Sequence, residues 1–133
     1  MSTFHLRIST PDGLKFEGEV ERLRVRMIDG DVSLLARHTD YVGAVGAGEA
    51  AIVTADGKVK CAACIGGMLA MIHNEANLIA TTFEWADEID LDRARRAKEA
   101  AEARIAAAKN DDRELMIAQA KLQRALVRIG VKH

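Results

Sequence analysis

The feature that most constrains this chain is a change of hydrophobic period close to residue 88. Before it, apolar residues recur at every second position; after it, they recur at every third and fourth. A period of two describes a strand with one buried face, and a period near 3.6 describes a helix with one buried stripe. The chain therefore divides into an all-β head and a helical tail. Its 133 residues leave room for one ordinary domain or a small domain with an appendage, since domains cluster near ~100–150 residues.

The head shows its strands directly. Phe4, Leu6 and Ile8 share one face and His5, Arg7 and Ser9 the other, before Pro11-Asp12-Gly13 turns the chain. Leu23, Val25 and Met27 oppose Arg22, Arg24 and Arg26, the pattern of a half-buried antiparallel strand, which ends at Asp29-Gly30. Ala51-Ile52-Val53-Thr54 and Lys58-Val59-Lys60-Cys61 flank Ala55-Asp56-Gly57, whose Asp-Gly pair supplies the positive φ of a tight hairpin. Gly66-Gly67 interrupts the next run, and Asn74-Glu75-Ala76-Asn77 returns the chain into Leu78-Ile79-Ala80-Thr81-Thr82-Phe83. Eight or more short strands fit before residue 86. Frequent turns without an intervening helix predict a sandwich or barrel.

From Leu91 to Ala108 glycine and proline vanish and strong helix formers take over, with Asp90 placed to cap the first helix. Asn110-Asp111-Asp112 breaks the pattern. Asp111 with Glu114 three residues later predicts a capping box for a second helix, whose apolar stripe is Leu115, Ala118, Leu122, Ala125, Leu126 and Ile129. Gly130 predicts its stop. The fold class is α+β: an N-terminal antiparallel β-sandwich over 1–86, then a C-terminal antiparallel α-helical hairpin over 87–133. The first helix offers mostly Ala94, Ala97, Ala101 and Ala108, with Leu91 and Ile105, to its partners. An interface built of alanine is weakly held and opens easily.

Charge separates the same two parts. Residues 1–89 carry 8 Lys/Arg against 13 Asp/Glu, a net of -5, while 90–133 carry 11 against 7, a net of +4. The basic tail could dock on its own head or reach an acidic partner. Its arginines are interleaved with Asp92, Glu99 and Glu102 and no aromatic residue accompanies them, which argues against nucleic acid. No run approaches the ~20 apolar residues of a membrane span. The start, Met1-Ser2-Thr3-Phe4-His5-Leu6-Arg7, lacks the pattern of a secretory signal, so a reducing cytoplasm is expected.

No motif supports catalysis. Cys61 and Cys64 are separated by two alanines; residues three apart on a strand point to opposite faces, so they read as structural thiols and not as a redox or zinc pair. Gly43, Gly46 and Gly48 precede a strand and not the helix a phosphate loop requires, so they read as turn glycines. His5, His38, His73 and His133 lie scattered without metal spacing. No catalytic residue, metal or required cofactor is expected.

In order and spacing, several segments together resemble the epsilon subunit of bacterial F-type ATP synthases along the whole chain. They are Phe4-His5-Leu6, Phe16-Glu17-Gly18-Glu19-Val20, Gly30-Asp31 with His38, Ile65-Gly66-Gly67-Met68-Leu69 leading to an Asn77 turn, and Ile89-Asp90-Leu91-Asp92-Arg93-Ala94. Ser33 and Ala36-Arg37 stand where that family commonly has a second glycine and a Pro-Gly. The resemblance implies a non-catalytic subunit of the central stalk, on the cytoplasmic face of the cell membrane. Its implied partners are the gamma subunit, the proton-carrying membrane ring and, through the hairpin, the catalytic alpha and beta subunits. It implies that the hairpin restrains ATP hydrolysis, and that Asp31 and His38 lie at the end of the head that meets the ring.

The resemblance further implies a possible regulatory ATP site between hairpin and head, with Ile89, Asp90, Arg93 and Ala94 matching the motif of ATP-binding members and Arg124 and Arg128 available for phosphates. Ala100 stands where those members carry an arginine, so the site is expected to be weak. The same residues also read as a helix cap, a solvated first turn and an exposed stripe. The alternatives are a freestanding ligand-binding sandwich acting as a nucleotide sensor, and an enzyme using His38 or Cys64.

Overall fold

Two long strands explain how the head is built, because each changes the parity of its buried residues part-way along. In β2 (Gly13–Met27) the buried side chains shift from Val20 to Leu23, Val25 and Met27; in β6 (Val59–Ile72) they shift from Ala62 and Cys64 to Leu69 and Met71. A strand that exchanges its inward face must bend or bulge there. In β2 the register shifts between Val20 and Arg22, and β6 passes through Gly66 and Gly67, both at positive φ. The glycine pair that reads as an interruption is a corner inside one strand.

The computed structural model describes residues 2–132; Met1 and His133, the last of the scattered histidines, lie outside the described residues. Among the described residues the head contains seven strands rather than eight or more: β1 (Phe4–Thr10), β2, β3 (Gly30–Leu35), β4 (Tyr41–Ala44), β5 (Ala47–Thr54), β6 and β7 (Glu75–Trp85). The count falls because β2 and β6 carry through their bends. Pairing runs β1-β7-β6-β5-β2, and β2 pairs with β1 again, so these five strands close a ring; β3 pairs with β2 and β4 with β6. Closure removes the long exposed edges through which sheets aggregate. Every named ladder is antiparallel except β1–β7, which is parallel.

Each corner changes the partners of a strand. The first part of β6, through Ile65, pairs with β5, and the part from Met68 pairs with β4. Gly67 makes this possible: a Cβ there would lie 1.9 Å from Ile79 O, so only glycine lets β7 approach. The ring is filled by Phe4, Leu6, Ile8, Val20, Leu23, Val25, Leu34, Ile52, Leu69, Met71 and Leu78, all essentially without solvent contact. The return from β6 to β7 is the two-residue turn His73-Asn74, both left-handed as a type I′ hairpin requires, and Asn77 belongs to β7.

The contact pattern divides the chain at Trp85/Ala86. The second unit opens with a 3-10 turn over Ala86–Glu88, followed by α1 (Leu91–Ala107) and α2 (Asp112–Lys132). Asp90 caps α1 by accepting from Arg93 N at 3.1 Å. Asp111 caps α2 by accepting from Glu114 N at 3.1 Å, yet the reciprocal arm of the expected capping box is missing because the Glu114 side chain is taken by Arg104. Gly130 does not stop α2, which continues through Lys132. Contacts at both ends fix the antiparallel hairpin: Arg104 Nε to Glu114 Oε1 at 2.8 Å near the tip, and Lys132 Nζ to Ala86 O at 3.1 Å at the root.

Candidate functional surfaces

The outer face of the head is not uniformly polar. On β6, Met68 and Ile72 point outward while Leu69 and Met71 point in; Met68 faces Ile79 of β7 directly, and Ala70 faces Val42 of β4. Val42, Met68, Ile72 and Ile79 are 47 to 61% exposed and form one band across three neighbouring strands. Apolar side chains clustered this way on a protein's exterior mark an interaction surface, whereas isolated ones do not. Sequence reasoning missed this band. Its signal was the run Met68-Leu69-Ala70-Met71-Ile72, which is apolar on both faces of the strand.

A different chemistry covers β5, β2 and β3. Arg24 Nη2 lies 2.7 Å from Glu49 Oε1 and Arg24 Nη1 lies 3.8 Å from Asp31 Oδ2, while Arg26 Nε approaches Asp31 Oδ1 at 3.7 Å. Asp31 is therefore held between two arginines. His38 lies beyond the other end of β3: Asp31 follows the first residue of that strand and Leu35 ends it, a step of ~13 Å at ~3.3 Å per residue. Asp31 and His38 therefore lie toward opposite ends of β3.

His38 sits in a tightly tied loop. Its amide donates to Leu35 O at 3.1 Å, its Nδ1 lies 2.7 Å from Thr39 O, and its ring meets Tyr41 edge-on with centroids 6.4 Å apart. On the β1–β2 face His5 is clasped by two carboxylates, Nε2 to Glu17 at 2.9 Å and Nδ1 to Glu19 at 3.3 Å. The Glu17 hydrogen bond is the main cause that raises the His5 pKa, with Glu19 adding to it.

Burial pushes the Cys64 thiol up to about 12, and burial with the nearby Glu49 carboxylate raises Cys61. Gly43 and Gly48 lie within β4 and β5, and only Gly46 falls between strands. Among the described residues no group of three or more His, Cys, Asp or Glu could hold a metal, and no helix is long and apolar enough to cross a membrane.

In the hairpin the expected nucleotide residues separate by environment. Ile89 and Ala94 are buried, Asp90 is occupied as the α1 cap, and Arg93 is exposed in the first turn. Arg124 and Arg128 are half-buried one turn apart on α2. None of the six lines the cleft of about 330 Å³ formed by Arg95, Lys98, Glu99, Leu126 and Ile129. Ala94 and Ala101 are buried on α1, Ala108 at its C-cap, and Ala118 and Ala125 on α2, each series seven residues apart; Ala97, expected among them, is exposed, as is Leu126.

Both parts of the chain match known families. Residues 3–86 match the ATP synthase Delta/Epsilon chain beta-sandwich domain, and residues 87–132 match the long alpha-helix domain of the same chain. A protein of Halalkalibacterium halodurans named ATP synthase epsilon chain is 33% identical over 131 residues, covering 98% of each chain. One of that name from Shouchella clausii is 34% identical over 134 residues, covering 100% of this chain and 98% of that one. Among solved structures, a chain of the Euglena gracilis mitochondrial ATP synthase superposes with a TM-score of 0.81 at 18% identity, covering 92% of this chain and 77% of that one. A chain from the central stalk and c-ring of the Tetrahymena thermophila enzyme gives 0.63 at 10% identity, covering 97% and 96%. At those identities the likeness speaks for the fold.

Proposed function

The chain belongs to the ATP synthase delta/epsilon family, and on that premise we propose that it is a non-catalytic rotor subunit. In this reading the head joins the gamma subunit to the membrane ring at the cytoplasmic face, and the hairpin restrains ATP hydrolysis. The observation that carries it is the apolar band of Val42, Met68, Ile72 and Ile79 on a head whose ring of strands is otherwise closed. Closure leaves only short strand edges, those of β3 and β4 among them, so association is expected to use side chains on a face, and this band is an apolar one. Gamma is the partner assigned to it.

The hairpin supplies the regulatory half of the proposal. Its stripes of alanine bury little area per contact, so the two helices separate or swing at low cost while α1, 17 residues and ~25 Å long, keeps its helical propensity. Its net charge of +4 over residues 90–133 suits it to an acidic partner surface. Arg93, Arg124 and Arg128 are the groups proposed to hold a regulatory nucleotide, weakly, because Asp90 is already used as a cap and Ala100 contributes no charge.

Reconstitution of the complex tests the reading. With this chain, proton-driven ATP synthesis is expected to be coupled, and deletion of 88–133 to raise hydrolysis while assembly persists. Val42→Lys with Ile79→Lys should abolish assembly with gamma and leave the isolated head folded. Normal assembly of that double variant would refute the assigned face. Titration with MgATP is expected to give a Kd weaker than ~0.1 mM, and tighter binding abolished by Arg124→Ala would show a stronger nucleotide site than proposed.

A further inference from the structure

The loop that carries His38 is tied to the β6–β7 turn by two side chains working in opposite directions. Asn74, in the turn, accepts through Oδ1 from Arg37 N at 2.6 Å; Asp40, in the loop, accepts through Oδ1 from His73 N at 3.0 Å. Asn74 Nδ2 also donates to Thr3 O at 3.2 Å, so one amide joins the loop, the turn and the first strand. Arg37, His73 and Asn74 all hold left-handed backbone, at φ 65, 49 and 64, which non-glycine residues adopt only where surroundings favour it. Three such residues at one end of the head, with both hydrogen-bond arms closed on them, describe a loop whose shape is imposed.

The imposed shape fixes the chemistry that His38 presents. A carbonyl oxygen only accepts, so the contact of Nδ1 with Thr39 O places the proton on Nδ1. In the neutral ring Nε2 then carries the lone pair and acts as an acceptor, and the edge-on contact with Tyr41 limits rotation about the side chain.

We propose that Asn74 and Asp40 are positioning residues for the His38 contact, holding the 36–40 loop so that His38 offers Nε2 as a hydrogen-bond acceptor to a donor side chain on the partner it meets. The partner chemistry follows from the tautomer: an amide, guanidinium or ammonium group fits, and a carboxylate does not. The assignment rests on the reading of His38 as a contact with the ring, and its two tests are chosen to separate the two.

The first test uses the isolated chain. Asn74→Gly keeps left-handed backbone accessible and removes both side-chain bonds, while Asn74→Asp keeps the acceptor for Arg37 N. Nitrogen chemical shifts should report a single Nδ1-protonated tautomer of neutral His38 in the parent and in Asn74→Asp, and a tautomer mixture in Asn74→Gly. Amide exchange at Arg37 should accelerate at least ~10-fold in Asn74→Gly, while exchange at Leu69 and Leu78 in the core stays within ~2-fold. An unchanged tautomer and unchanged Arg37 exchange would sink the latch whatever His38 touches.

The second test uses the reconstituted complex. Coupled synthesis should fall by the same factor in Asn74→Gly, His38→Ala and the double variant, because a positioning residue has nothing to position once its target is gone. Multiplying losses in the double variant would make Asn74 structural only. Full synthesis in His38→Ala would instead overturn the contact itself while the tautomer result still decides the latch.

Discussion

The head and the hairpin bury different kinds of side chain, and the difference indicates which part of this molecule holds and which part yields. The head encloses Phe, Leu, Ile, Met and Val with no solvent contact inside a closed ring of strands. The hairpin buries mainly Ala94, Ala101, Ala108, Ala118 and Ala125. A buried Leu contributes ~2–5 kcal/mol beyond Ala, so equal numbers of contacts yield unequal resistance to opening. The chain thus combines a head packed with large side chains and a tail packed with small ones.

The largest expected effect probes the rigid side. Leu69→Ala, at a fully buried site facing Leu78, is expected to cost ~2–5 kcal/mol in denaturant unfolding. The same loss should appear in the 1–86 fragment, which we expect to unfold cooperatively by itself. A fragment without a cooperative transition would break the comparison, because the head would then depend on the hairpin.

Enlarging the alanine seam probes the other side. With Arg104 paired to Glu114, Ala101 lies about level with Ala118 and Ala94 with Ala125, so Ala101→Leu must push helices apart. Overpacking of this kind costs ~1–3 kcal/mol and should reduce helical signal on mild heating while the β signal persists. A rise in hairpin stability would mean that the seam is loosely packed and tolerant.

Smaller effects sharpen the boundary. Arg104→Ala removes a contact near the hairpin tip between two side chains more than a third exposed, so solvent screening limits the loss to under ~1 kcal/mol, and less at high salt. His5 should show the weakest response. Its raised pKa means that its clasp with Glu17 and Glu19 contributes fully below the ordinary value of ~6.5 and fades as pH climbs through the raised one. Head stability should therefore fall slightly from about pH 6 to 8, and His5→Gln should flatten that slope. A slope of opposite sign would show that the clasp is not formed by the imidazolium.

Much of this architecture was legible in residue order because it depends on period and on local chemistry. Alternation at Phe4, Leu6 and Ile8 needs only one buried face, and the caps Asp90 and Asp111 need only the free N–H groups of the next turn. The change of period located the boundary between strands and helices, which falls between Trp85 and Leu91. Glu114 shows where local reasoning ends: its spacing fits a capping box, but Arg104, ten residues earlier and on the other helix, competes for its carboxylate and wins. The spacing of Gly130 predicts a stop, yet α2 continues through Lys132.

What the sequence by itself determined, then, is the division into strands and helices and most of the inward faces and alanine seam, Ala97 and Leu126 excepted, since each follows from neighbours within a few residues. Only the tertiary structure decided that Gly66-Gly67 is a corner, because that depends on how closely Ile79 O approaches. It also decided that β1 runs parallel to β7, that Asp31 is held by two arginines, and that Asn74 reaches across to Arg37. Such pairings join residues far apart in the chain, and their energy depends on distances that no local pattern encodes.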